Sequence, residues 1–164
     1  MSGDAARRLQ VVLEAEAGLY ERLRDLLQEE REILCSLDAP RLELLTQHKA
    51  ALIDEGHVLE STRQAVVLQL AGELSLSPEG LRLSVLCERL GAGHEGLHRA
   101  HNRLVVLVGV VRELLQANRS LAGQSLSEVR STLEALGGTL REGSSYGPDG
   151  SRCSAKGRLL RQFA

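Results

Sequence analysis

The fold is decided at residues 34–45, which run Leu34-Cys-Ser-Leu-Asp-Ala-Pro-Arg-Leu-Glu-Leu-Leu45. Leucines recur on both sides of this stretch, and the segment from Asp38 to Arg41 interrupts them. Pro40 lacks an amide hydrogen and is tolerated only in the first turn of a helix, whereas Asp38 is a good N-cap. The stretch therefore predicts a tight turn between two helices, and a short turn makes such helices antiparallel neighbours.

Both flanking segments carry apolar residues at intervals of three and four, the pattern of amphipathic helices. The spacing predicts a first helix over residues 4–37 and a second over residues 39–71. The apolar stripe of the first helix is wide, which is typical of a helix with more than one packing partner.

Charged residues interrupt these apolar rows at four places, Glu16 and Glu30 in the first helix and Lys49 and Arg63 in the second. The two carboxylates are separated by roughly 21 Å of helix, too far to act on one substrate atom. We therefore expect them to pair with Lys49 or Arg63, whose aliphatic stems can lie on the apolar row.

Two further helices are predicted. Ser77 as N-cap and Pro78 in the first turn favour a short helix over residues 78–90, ended by the glycines of residues 91–93. A third long helix is predicted over residues 94–136, because Gly137 and Gly138 should stop it.

The apolar run from Leu104 to Val111 lies inside the third long helix. A bilayer-spanning helix needs about 20 apolar residues, so this run is predicted to be a buried helix segment and not a membrane anchor. Stable membrane insertion is not expected.

These elements predict an all-α fold, an elongated, coiled-coil-like antiparallel bundle of three long helices plus one short helix. Residues 1–138 form the predicted bundle. Residues 139–164, where glycine, serine, proline and basic residues replace the periodic leucines, are predicted to be a flexible C-terminal tail. At about 1.5 Å per residue, the long helices would each extend roughly 45–65 Å.

The composition excludes several classes of function. Hydrophobic residues make up 43% of the 164 residues but aromatic residues only 2%, and most catalytic pockets use aromatics. The net charge of −2 gives no basic excess for nucleic acid. Three widely spaced cysteines indicate reduced thiols, and the N-terminus shows no secretory h-region, so we expect a cytoplasmic protein.

Three histidines form the one metal-like pattern. His94, His98 and His101 would share a helix face, where imidazoles can bind a metal. The sequence marks out no second acidic or cysteine cluster as a partner for them, so the alternative is three polar residues near a helix start. No Walker-type phosphate-binding loop, GxxxxGK[ST], occurs. We expect neither a cofactor nor an enzymatic activity.

Once the helices are placed, the chain resembles the FlgN family of flagellar export chaperones. The resemblance rests on Leu13-Glu-Ala-Glu-Ala-Gly-Leu-Tyr20, on Glu30-Arg31, on Asp38 at the turn and on the leucine row around Lys49. Asn118 and Leu121 match an N-x-x-L motif, and Ser145-Tyr146-Gly-Pro-Asp-Gly150 is similar to the Tyr-Gly-x-x-Gly after the last helix. The longer basic end after Gly150 departs from the family pattern.

The resemblance implies a bacterial cytoplasmic chaperone for the hook–filament junction proteins FlgK and FlgL. Such a chaperone binds the C-terminal amphipathic helices of its clients, prevents premature assembly and delivers them to the flagellar type III export gate. A homodimer is a further expectation.

On this basis the client surface is predicted on the third long helix, where a long apolar face leads into the tail. The alternative for each of these residues is packing inside the bundle. Tyr146, an isolated aromatic in a polar tail, is predicted to dock on the export gate. The predicted client-binding residues are Leu107, Val111, Leu114, Asn118, Leu121, Val129 and Leu133.

Two other functions remain open from the sequence alone. One is a structural coiled-coil or adaptor protein that self-associates, and the other is a helical metal protein that uses the histidines. An obligate oligomer would favour the first, and bound metal in the purified protein would favour the second.

Overall fold

A computed structural model describes residues 2–77, 79 and 81–142. It shows helices α1 (Ser2–Ser36), α2 (Ala39–Glu73), α3 (Leu83–Leu90) and α4 (Glu95–Glu142), with a 3₁₀ turn at Ala92–His94 before α4. The predicted all-α class, with three long helices and one short one, is confirmed.

The turn between α1 and α2 is built as predicted. The Asp38 carboxylate accepts a hydrogen bond from the backbone amide of Arg41 at 3.2 Å, and Pro40 lies in the first turn of α2. Leu37 closes α1 in a left-handed conformation, with a φ of 54°. The Asp38 N–H bonds back to the Ile33 carbonyl at 3.4 Å, which satisfies one end group of α1.

Cross-helix contacts define the helix directions. Between α1 and α2, Arg8 contacts Gln69, Glu16 contacts Arg63 and Glu30 contacts Lys49, so the two helices are antiparallel. Between α1 and α4, Glu21 contacts Arg103 and the Leu27 carbonyl contacts Asn118, so these two helices run parallel. The third long helix is therefore antiparallel to α2.

The chain divides into two compact units, Met1–Leu121 and Ala122–Ala164. The core of the first unit is a cluster of buried, mostly aliphatic side chains from all four helices. Burying one leucine side chain contributes about 1.5–3 kcal/mol, so this cluster is a main source of stability. Its fully buried leucines are Leu9, Leu13, Leu70, Leu86 and Leu97.

The prediction for the short helix was wrong at its start. Helix α3 begins at Leu83, and Arg82 precedes it in an extended conformation, so Ser77 is not its N-cap. The extended approach lets both Leu81 and Leu83 pack against the core cluster. A continuous helix from residue 78 would not provide this arrangement. The predicted end at Gly91 is confirmed, with a φ of 74° that favours glycine.

The predicted end of the third long helix was also wrong. Helix α4 continues through Gly137 and Gly138 to Glu142. Glycine in a helix interior costs about 1 kcal/mol relative to alanine, and Thr139-Leu-Arg-Glu142 can continue the hydrogen-bonded ladder beyond the pair. Residues 143–164 of the predicted tail lie outside the described residues.

Candidate helix-binding surface

The predicted client-binding residues fall into two groups. In the first unit, Leu107 and Val111 are buried and Leu114 and Leu121 are half-buried. They occupy the inner face of α4, together with the core residues Leu97, Ala100 and Leu104.

Asn118, also on the inner face, is 3% exposed and is held by α1. Its Nδ2 donates to the Leu27 carbonyl at 2.7 Å and to Glu30 Oε2 at 2.9 Å. Both partners are acceptors, so the amide cannot be reversed without placing oxygen against oxygen. Its Oδ1 is buried and has no hydrogen-bond partner among the described residues.

Glu30 connects all three long helices. Its Oε1 accepts a hydrogen bond from the Lys49 ammonium on α2 while its Oε2 accepts from Asn118 on α4. Glu30 and Asn118 are 8% and 3% exposed and Lys49 is half-buried, so this three-residue cluster forms a largely buried polar layer. Such layers restrict the alignment of neighbouring helices, because any other alignment would leave buried charges unpaired.

A second polar layer joins α1 and α2. Arg63 Nε donates to Glu16 Oε1 at 2.9 Å, and a second guanidinium nitrogen contacts Glu60 at 3.3 Å. Burial raises the pKa of Glu16, and the hydrogen bond and positive charge of Arg63 only partly oppose this rise. The expectation that Glu16 and Glu30 pair with Arg63 and Lys49 is confirmed.

The second unit, of which residues 122–142 are described, carries the other predicted client-binding residues. Val129 and Leu133 are both exposed, by 47% and 64%. Leu126 is 67% exposed at the position three residues before Val129. The spacing of i, i+3 and i+7 places all three on one helix face. We call Leu126, Val129 and Leu133 the distal stripe.

Leu126 was absent from the predicted site, although its spacing from Val129 and Leu133 could have revealed it. Tyr146, the predicted export-gate residue, lies outside the described residues.

The apolar run from Leu104 to Val111 is only partly buried, which corrects the prediction of a buried segment. Val105, Val106 and Val110 are exposed, while Leu104, Leu107 and Val111 are buried. One side of α4 faces the other helices, and the opposite side of the same run therefore faces solvent.

The three histidines of the metal-like pattern remain without a supporting ligand set. The His94 ring contacts the Leu90 carbonyl at 3.1 Å. Over residues 2–77, 79 and 81–142, no group of three histidine, cysteine, aspartate or glutamate side chains could hold a metal ion. Within the same ranges, no helix is long and apolar enough to cross a bilayer.

Comparison with known proteins supplies the family. A family model described as FlgN protein matches residues 1–152. The chain belongs to the FlgN family. No curated protein and no solved structure matches the chain.

The family match confirms the resemblance seen in the sequence, and the function follows from the family. FlgN proteins are non-enzymatic flagellar export chaperones that bind FlgK and FlgL, and they act in the cytoplasm. The matched segment contains both polar layers and the distal stripe.

Proposed function

We propose that this FlgN chaperone captures an amphipathic C-terminal helix of FlgK or FlgL on the distal stripe. Exposed aliphatic side chains at i, i+3 and i+7 match the way in which one amphipathic helix packs on another. The observation that carries the proposal is the exposure of Leu126, Val129 and Leu133 along one face of α4.

The inner face of α4 is a less suitable client surface in this conformation. A client helix in contact with Leu107 or Val111 would have to separate α4 from α1. That separation would break both hydrogen bonds of Asn118 and expose the core around Leu104. First contact with the client is therefore assigned to the distal stripe, which includes Val129 and Leu133 of the predicted set. The other five predicted residues, on the inner face, hold α4 against the other helices.

Binding to the distal stripe would prevent premature assembly by covering the apolar face that the client uses to polymerise. The client helix is ordered only on binding, and the free energy of ordering limits the affinity. A limited affinity allows release at the export apparatus. We propose Tyr146 as the residue that docks there, since an isolated tyrosine in a polar segment is a suitable interface anchor. A homodimer completes the proposed set of partners.

The client surface is tested by isothermal titration calorimetry, in which a peptide with the C-terminal helix sequence of FlgK is titrated into the Leu133→Glu variant. A buried glutamate should weaken binding by about tenfold or more, because one anchor residue contributes about 1–2 kcal/mol or more. The matched control is Leu68→Glu on α2, which changes a leucine of similar exposure (57%, against 64% for Leu133) elsewhere. Equal affinities of the two variants would reject the distal stripe as the client surface.

The docking role of Tyr146 needs a separate measurement. Tyr146→Ala should reduce the export of FlgK in cells and leave the peptide affinity unchanged, whereas Ser145→Ala should change neither. A loss of peptide affinity in Tyr146→Ala would move this residue to the client surface.

A further inference from the structure

Helix α4 carries a second regular row of side chains, on a solvent-exposed flank of the helix beside its buried face. The row alternates intervals of four and three residues, the spacing of a coiled-coil contact line. All six members are exposed, and all lie in the first unit. They are Arg99, Arg103, Val106, Val110, Glu113 and Ala117, and we call them the outer row.

The outer row of one copy is complementary to the outer row of a second copy that runs in the opposite direction. When two copies lie antiparallel and centred on residue 108, Val106 of each faces Val110 of the other. Arg103 then faces Glu113 on both sides of the valines. At the two ends, the aliphatic stem of Arg99 faces the small side chain of Ala117 of the other copy, and the guanidinium of Arg99 stays in water. Parallel copies would place Arg103 against Arg103, so the complementarity holds in one direction only.

The geometry points to the outer row as a self-association surface on which a second copy of the chain packs antiparallel. A twofold arrangement of this kind uses the same patch on both copies and closes after two. The two valine layers would exclude water at the centre, and two Arg103–Glu113 ion pairs would flank them. This inference specifies the homodimer of the proposed function and is independent of the distal stripe.

Arg103 is already held in a suitable place by α1. Its Nη2 donates to Glu21 Oε1 at 2.6 Å, and its side chain stays 53% exposed. A guanidinium has five N–H donors, so Arg103 can keep Glu21 and still bind Glu113 of a second copy. Glu113 itself is exposed.

The outer row is short, which sets the expected strength of the dimer. From residue 99 to residue 117 it covers about 27 Å of helix, with two apolar layers. Such a contact falls below the area of permanent dimers, so the association should be reversible and should depend on concentration and on salt.

Two charge reversals test the inference on the full chain by sedimentation at increasing concentration. Arg103→Glu would face its own Glu113, and Glu113→Arg would face its own Arg103, so each variant alone should associate at least about tenfold more weakly than the unaltered chain. An equimolar mixture of the two variants restores opposite charges and should form a heterodimer. A mixture that stays monomeric overturns the inference.

Arg103→Glu also places a carboxylate against Glu21, so a second pair of variants avoids this site. Val106→Lys should weaken the dimer, whereas Val105→Lys, at an exposed valine outside the row, should not. An unaltered chain that is monomeric at all concentrations overturns the inference. Self-association of unchanged strength in both the Glu113→Arg and the Val106→Lys variants also overturns the inference.

Client binding separates this inference from the proposed function. The FlgK peptide should bind Glu113→Arg as tightly as the unaltered chain, because the outer row does not include the distal stripe. A loss of peptide affinity without a change in self-association would make the outer row a client surface and overturn the inference. Failure of the distal stripe would leave the dimer test unaffected.

Discussion

Asn118 on α4 donates a hydrogen bond to Glu30 on α1 at 2.9 Å, and the same nitrogen bonds the Leu27 carbonyl at 2.7 Å. The pair determines how far α4 can slide along α1, because a shift by one helical turn would leave both polar groups buried and unpaired. A residue with the sequence signature of a family motif thus acts, in this conformation, as a positioning group between helices.

We expect Asn118→Ala to lower the free energy of unfolding by about 1–3 kcal/mol, since it removes two buried hydrogen bonds. Asn118→Asp should cost more, because a carboxylate would face Glu30 and a backbone carbonyl. Chemical denaturation followed by circular dichroism measures both.

The control for Asn118→Ala is Asn102→Ala, the same change at an exposed position of α4. Alanine is the better helix former, so this control should leave stability unchanged or raise it by up to about 0.7 kcal/mol. Equal losses of stability at residues 102 and 118 would contradict the positioning role.

Arg63→Ala tests the second polar layer. The substitution leaves Glu16 buried without its cation, and breaking a buried pair in this way costs about 3 kcal/mol at neutral pH. Arg22→Ala also removes an arginine–glutamate ion pair between α1 and α2, to Glu55, but both of these side chains are about half exposed, so its effect should be much smaller. Similar decreases in the free energy of unfolding of the two variants would show that the burial of Glu16 does not add to the cost of losing its cation.

The raised pKa of Glu16 predicts a pH dependence with a definite sign. Between the ordinary value of 4.5 and the raised value, the folded chain holds a proton that the unfolded chain has released. The folded state then binds more protons, so the free energy of unfolding decreases as the pH rises through this window. Glu16→Gln should remove that decrease, and denaturation curves at several pH values measure it. Glu43→Gln at an exposed position should retain it.

The sequence predicted the α1–α2 hairpin closely because its signals are local. A capping aspartate, a first-turn proline and two helix-forming rows determine where each helix begins and ends. It also predicted the pairing of Glu16 and Glu30 with cations of α2, since the apolar rows must face each other. The start of α3 could not be predicted, because tertiary packing of Leu81 and Leu83 overrides the capping signal of Ser77 and Pro78.

The candidate site was harder to predict than the fold. Periodicity identified the apolar positions of α4 but could not show which of them the other helices cover. Leu107 and Val129 belong to the same predicted row, yet the first is buried in the first unit and the second is exposed. The exposed side of the run from Leu104 to Val111 was missed for the same reason, since one packing partner covers only one side of a helix.

The two described cysteines should differ in reactivity. Cys35 is exposed, whereas Cys87 is 2% exposed and burial raises the pKa of its thiol. Both factors disfavour the reactive thiolate of Cys87. In a Cys153→Ser background, a thiol reagent at neutral pH should therefore modify Cys35 at once and Cys87 only on unfolding. Equal rates under native conditions would contradict the burial of α3 against the core.

Two glycines offer a matched test of helix packing. At Gly109, on the solvent side of α4, an added Cβ meets nothing within 4 Å, so Gly109→Ala should stabilise the chain by about 0.5–1 kcal/mol through helix propensity. At Gly56, on α2, the added Cβ would lie 3.4 Å from Cδ2 of the buried Leu19 on α1. The propensity gain there should be reduced or reversed, because Leu19 has little room to move. Thermal and chemical denaturation of both variants measure the difference, and an equal gain at the two sites would show that α1 and α2 are not closely packed at Gly56.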